Sequence, residues 1–164
     1  MNPLFGGVSR KLNVKNFHQE IPYDDYKKEL LLPHKLSQLG PALATGDVNN
    51  DGQMDFYVGG SASFSGKLYV SQGASFIENK NPIWEAEKRY EDIAAEFFDA
   101  DNDGDVDLYV ASGSNQFEIG DEKYQDRLYL NNGKGEFTKS ANKLPQILTS
   151  TGTCLLYTSD AADE

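Results

Sequence analysis

The 164-residue chain contains a single cysteine, Cys154. One thiol excludes an internal disulfide and any multi-cysteine zinc or iron–sulfur site. Histidine is nearly as scarce, with only His18 and His34. No segment approaches the roughly 18–20 apolar residues of a membrane-spanning helix. The opening stretch MNPLFGGVSRKLNVKNFHQE also lacks the apolar core of a secretory signal. Bases are outnumbered, 15 Lys and Arg against 26 Asp and Glu, for a formal charge of -11 and an isoelectric point near 4.6. So acidic a surface repels phosphate backbones and anionic lipids, so neither nucleic acid nor direct membrane insertion is expected.

What is present is β-structure and clustered acid. Apolar residues make up 38% of the chain and aromatics 12%, which separates it from disordered polyanions. The aromatics recur in short runs such as DFYVGG and DLYVAS. Many of the aspartates fall in two short windows, 47–55 and 99–107, a pattern of cation binding rather than general solvation.

The chain repeats itself. Residues 42–60, ALATGDVNNDGQMDFYVGG, align with residues 94–112, AAEFFDADNDGDVDLYVAS, placing Asp47 on Asp99, at a period of about 50 residues. The match resumes between GKLYVSQGASF (66–76) and DRLYLNNGKGEF (126–137) after a longer connection, 116–125, in the second copy. Each copy predicts four short strands: 42–45 and 95–98 before the acidic window, 55–59 and 107–111 after it, 67–71 and 127–131 next, and a fourth starting near Phe76 or Phe137. Four antiparallel strands per repeat is the pattern of a propeller blade. The fold expected is all-β, a partial β-propeller of two four-stranded antiparallel blades. A β-sandwich with a chance duplication is the alternative.

The divisions expected are a leading segment over 1–40, a first blade over 41–92, a second over 93–150, and an end over 151–164. The leading segment mixes helix formers with Pro33 and Pro41, which suggests a docking loop with one helical turn. Trp84, between the copies, is expected to pack the inter-blade connection, with an exposed ligand-stacking role as the alternative. The tail CLLYTSDAADE (154–164) resembles an in-frame translation of a sequencing-library adapter, the alternative being a natural tail of odd composition. The chain is therefore expected to be a fragment whose true start lies elsewhere.

Both acidic windows read D-x-[DN]-x-D-G-x-x-D. The first is Asp47, Asn49, Asp51, Gly52, Gln53 and Asp55 at positions 1, 3, 5, 6, 7 and 9; the second is Asp99, Asp101, Asp103, Gly104, Asp105 and Asp107. Calcium takes six to eight hard oxygens at roughly 2.3–2.6 Å. Oxygens at positions 1, 3 and 5 of a tight loop can converge, and glycine at position 6 permits the reversal that a Cβ would obstruct. The carbonyl of Gln53 or Asp105 can then face the ion, and the carboxylate of Asp55 or Asp107 completes the shell. Two calcium sites are expected, and magnesium, which prefers a rigid octahedron with retained waters, fits less well. An EF-hand is excluded because position 12 is Val58 or Val110 rather than glutamate.

These residues resemble a known family. GDVNNDGQMDFYVGG and FDADNDGDVDLYVASG look like FG-GAP/VCBS repeats, the calcium-loop blades of integrin-α-type propellers, over residues 41–150. LLPHKLSQLGPALATGDVNNDG and YQDRLYLNNGKGEFTKS are similar to large secreted or surface-attached bacterial proteins, especially of Bacteroidota, of the VCBS-repeat or cartilage-acidic-protein-like kind. The resemblance implies metal roles for Asp47, Asn49, Asp51, Asp55, Asp99, Asp101, Asp103 and Asp107. Asn49 replaces an acid, so the second site should bind more tightly. It also implies further blades of the same protein, since a closed ring needs about seven.

A structural calcium site must stay filled, and extracellular modules do so with affinities near about 10⁻⁴–10⁻³ M. The parent protein is therefore expected outside the cytoplasm, secreted or at the cell surface. Two functions compete. One is a scaffold whose connections, such as 112–125, present a face to an extracellular protein or glycan. The other is a non-catalytic propeller part of a larger secreted or surface hydrolase. No residue is assigned to catalysis. His34 is expected to be a packed or hydrogen-bonded structural histidine, Ser112 and Ser114 lack a nucleophile context, and Glu91, Asp92 and Glu96 are expected to serve strand-edge solvation or support of the second loop. The chain itself is not expected to be an enzyme.

Overall fold

A computed structural model of the chain describes residues 7–141 and 144–146. The expected tail at 154–164 lies outside the described residues. Eight strands form two separate four-stranded sheets. The first comprises β1 (Leu43–Gly46), β2 (Asp55–Val58), β3 (Lys67–Gln72) and β4 (Ser75–Asn79). A short helix α1 (Pro82–Ala86) leads to the second, made of β5 (Asp92–Phe98), β6 (Asp107–Ser112), β7 (Arg127–Leu130) and β8 (Thr138–Lys139). Every neighbouring pair is antiparallel and in chain order. The all-β reading and the two blades of a partial propeller therefore hold.

Local sequence explains the elements. β1 alternates exposed Leu43 and Thr45 with buried Ala44 and Gly46, the two-residue period of a strand with one covered face. β3 and β4 are joined by a two-residue loop closing Gln72 onto Ser75, where Gly73 has φ of +63° as such a hairpin requires. Asn81 caps α1 by accepting Ile83 N–H at 3.1 Å, with Pro82 at its start. β5 starts at Asp92, earlier than the pattern 95–98 indicates, because it continues past a bulge between Asp92 and Ala94 to pair with Ser112.

The core lies between the sheets. Tyr57 and Leu68 of the first sheet face Phe97, Leu108, Val110 and Tyr129 of the second. Trp84 of α1 fills the seam with ring centroids 5.4 Å from Tyr57, 5.4 Å from Tyr129 and 5.7 Å from Phe137. Its expected packing role between blades is thus observed, and at 5% exposure it has no free face for a stacked ligand. β1 and β5 approach closely: a Cβ on Gly46 would lie 3.0 Å from Phe97 Cβ.

The described part of the leading segment is a strap, and the expected helical turn is a 3₁₀ turn at Asp25–Lys27. Near its start Leu12 O accepts Phe76 N–H at 2.8 Å and Lys15 O accepts Tyr69 Oη–H at 3.1 Å, both on the first sheet. Further on, Gln116 Nε2 donates to Ser37 O at 3.2 Å and Lys28 Nζ donates to Phe117 O at 2.9 Å, tying the strap to the 113–126 connection of the second sheet. Asp25 is fully buried and organises the strap by accepting Leu36 N–H, Ser37 N–H and the Ser37 hydroxyl. Burial would raise its carboxyl, but these bonds outweigh it and hold the group below the usual range. His34, expected to be packed or hydrogen-bonded, is exposed rather than packed, since the strap turns around Asp25 and leaves 33–35 outside.

Candidate metal centres

Each acidic window is the connection between the first and second strands of its sheet, 47–54 between β1 and β2 and 99–106 between β5 and β6. The two have the same shape. Position 4 is left-handed in both, with φ of +57° at Asn50 and +62° at Asn102. Position 6 has φ of +81° at Gly52 and +93° at Gly104. No neighbouring atom lies within 4 Å of a Cβ built on either glycine, so the demand for glycine comes from its own backbone conformation and not from crowding. Asparagine is the non-glycine residue that most readily takes such a φ, which makes position 4 part of the motif.

Side chains turn inward onto the loop. Asp47 accepts Asp51 N–H at 3.1 Å and Gly52 N–H at 2.7 Å, and Asp51 accepts Gln53 N–H at 2.8 Å. Asn49 accepts Asp51 N–H at 3.3 Å and donates to Asp51 Oδ2 at 3.1 Å. In the second loop Asp99 accepts Gly104 N–H at 3.1 Å, Asp101 accepts Asp103 N–H at 3.3 Å, and Asp103 accepts Asp105 N–H at 2.9 Å.

Position 9 does more than close the set. Asp55 is 1% exposed and Asp107 wholly buried. Asp55 accepts Val48 N–H at 2.9 Å and Ser71 N–H at 2.7 Å. Asp107 accepts Ala100 N–H at 2.9 Å and Asn131 N–H at 2.8 Å. Each carboxylate thus ties its loop to the third strand region of its own sheet. Burial raises the Asp55 carboxyl, against the two N–H bonds, with the charges of Asp51 and Asp47 adding to the rise.

The donor atoms of Asp99, Asp101 and Asp107 lie within 4.8 Å of one another. Among the described residues this is the group of acids whose oxygens converge in the manner of a metal site. Desolvation, then the charges of Asp103 and Asp107, raise the Asp101 carboxyl. Such crowding of hard anionic oxygens is relieved by a cation, and a donor set of oxygen alone suits calcium better than zinc. The first loop has Asn49 where the second has Asp101, and its acids Asp47, Asp51 and Asp55 do not make a group as close.

A family model described as FG-GAP-like repeat matches the chain twice, over residues 47–110 and 99–163. The chain belongs to this family. Both matches begin at position 1 of an acidic loop, one strand into each structural blade. A comparison with curated proteins finds no match. The two sheets packed face to face are the β-propeller-like scaffold of FG-GAP-like repeats, and the acidic cluster of the second could hold a metal.

Two of the sequence candidates have side chains that serve elsewhere. Gln53 Oε1 accepts Ser71 Oγ–H at 3.1 Å. Asp105 Oδ1 accepts Asn50 Nδ2–H at 2.7 Å, across the seam. Both remain carbonyl candidates, the role the spacing assigns to position 7. Sequence reasoning missed Asn131, whose Nδ2 donates to Val48 O at 2.8 Å and Val106 O at 3.0 Å, linking the loops. Aligning the repeats places Asn131 on Ser71, whose N–H plays the same part for Asp55, and that was the available signal.

Of the residues set aside for catalysis, Glu91 stands just before β5 but is fully buried and not solvated, accepting Ala62 N–H at 2.8 Å. Asp92 is ion-paired with Arg127, Glu96 is exposed, and Ser112 Oγ donates to Gln125 O at 2.9 Å. No helix among the described residues is long and apolar enough to cross a membrane.

Proposed function

We propose that each acidic loop binds one calcium ion and that the chain is a calcium-stapled segment of an extracellular β-propeller that serves as a protein- or glycan-binding scaffold. The convergence of Asp99, Asp101 and Asp107 on one region carries the reading. In the second loop Asp99, Asp101, Asp103 and Asp107 would hold the ion with the carbonyl of Asp105; in the first, Asp47, Asn49, Asp51 and Asp55 with the carbonyl of Gln53. The ion supplies positive charge that lets several carboxylates share one small volume, so loop order and metal binding rise together. The chain's own residues hold the loop shape: Asp55 and Asp107 fix its ends, and Gly52 and Gly104 turn it.

Structural sites of this kind keep their ion where calcium is abundant, which supports a place outside the cytoplasm. The connection 113–126 is the proposed presenting surface. Its 116–118 side is held by the strap, while Ile119 is 86% exposed, a suitable site for contact with a partner. The chain acts without catalysis of its own on this reading.

The test is calcium titration by calorimetry on the wild type and on Asp51→Ala with Asp103→Ala, together with thermal melts with and without chelator. The reading expects two bound ions, loss of binding in the double variant, and a lower melting temperature in chelator. A wild type that binds nothing and melts identically in both conditions overturns it.

A further inference from the structure

The two loops are not independent. Asn50, at position 4 of the first, donates from Nδ2 to Asp105 Oδ1, at position 7 of the second, at 2.7 Å. Asn131 makes a second link. Its N–H is held by Asp107 at 2.8 Å, and its Nδ2 reaches Val48 O at 2.8 Å as well as Val106 O at 3.0 Å. Val48 N–H in turn is held by Asp55 at 2.9 Å. A continuous hydrogen-bonded path therefore runs from the position-9 carboxylate of one loop to that of the other, through Asn131 and Val48.

The path is buried and firmly anchored. Asn131 is 7% exposed and Val48 wholly buried. Asn131 Oδ1 accepts Asn132 N–H at 2.9 Å and Gly135 N–H at 3.1 Å, so its amide is oriented by the second sheet before it reaches the first loop. The loop spacing assigns the main-chain carbonyl of position 7 to an ion, which would leave the Asp105 carboxylate for Asn50.

We propose that the two calcium sites are coupled, an ion in the second loop raising the affinity of the first, with Asn50, Asp105 and Asn131 as positioning residues. This rests on the calcium reading above. An ion that orders 99–107 fixes Asp105 and the Asp107–Asn131 contact, and these hold Asn50 and Val48 in the shape the first loop needs. The first loop is one charge poorer at Asn49, so ordering it in advance removes part of the cost of filling the weaker site. By thermodynamic reciprocity an ion in the first loop raises the affinity of the second by the same factor.

Calorimetric calcium titration of the whole chain tests this, with amide hydrogen exchange at 47–55 reporting the first loop separately. Asp101→Ala, which removes a converging carboxylate from the second loop only, is expected to weaken the first site at least about fivefold. Asn50→Gly is expected to keep two ions but weaken the interaction between them; glycine at 50 retains the left-handed backbone. Should Asp101→Ala not fold, the comparison of wild type with Asn50→Gly decides, since two independently filled wild-type sites contradict the coupling. An unchanged first-site affinity in Asp101→Ala overturns the coupling and leaves the calcium reading standing, whereas a wild type that binds no calcium removes both.

Discussion

Arg127 of β7 and Asp92 of β5 form an ion pair within the second sheet, at the edge of the seam, with side chains only 2% and 4% exposed. Asp92 also accepts the Tyr57 hydroxyl at 2.9 Å and Gly60 N–H at 2.8 Å, while the Arg127 guanidinium lies 4.2 Å from the Tyr90 ring centroid and donates to the Tyr129 hydroxyl at 3.1 Å. The pair thus joins both sheets and the chain between them. Leaving one member of such a pair alone costs about 3–5 kcal/mol. Arg127→Met is expected to destabilise by that amount in urea unfolding, and adding Asp92→Asn to recover part of it. A double variant no more stable than Arg127→Met contradicts the assignment.

Trp84 is the other joint. Trp84→Ala is expected to cost about 3–5 kcal/mol, because three rings and α1 lose their common neighbour. Trp84→Phe is expected to lose less than about 3 kcal/mol, since Nε1 has no hydrogen-bond partner among the described residues and only area is removed. Equal losses for the two, read from thermal melts, would argue against the packing account.

Glu91 supplies a pH dependence. Burial raises its carboxyl from 4.5 to about 8, the Ala62 N–H opposing and Glu20 and Asp92 adding to the rise. The folded chain then holds this proton where the unfolded chain has released it. Stability from this group is complete below about 4.5, declines as pH rises, and is lost above about 8. Glu91→Gln is expected to flatten that decline in urea midpoints measured between about pH 5 and about pH 9. A slope unchanged by the substitution would contradict it.

Asp107 and Asp101 should separate structure from metal. Asp107→Asn places an amide against one of two buried N–H donors, and is expected to cost about 1–3 kcal/mol even in chelator. Asp101→Ala, at an exposed position, is expected to change stability chiefly when calcium is present. Equal behaviour of the two in chelator melts would refute the clamp role of position 9.

The fold was largely legible because its determinants are local and recur. The strand after each loop, the glycine reversal and the hairpin returns are written in neighbouring residues, and Trp84 stands at the break between copies. The contacts between blades were not. Asp92 with Tyr57, Asn50 with Asp105, and Asn131 with Val48 lie far apart in sequence and meet only when the sheets pack, so no spacing encodes them. The dual use of Asp55 and Asp107 was hidden for a related reason: a carboxylate suited to a metal and one suited to two main-chain N–H groups read alike. His34 misled because an apolar neighbourhood in sequence, LLPHKL, became a turn on the surface around Asp25.

Native mass spectrometry in calcium, counting ions on the intact chain, is the most direct measurement. The account expects two ions on the wild type and the second-loop ion lost from Asp101→Ala. A wild type that carries none, or a variant that carries as many as the wild type, would contradict it.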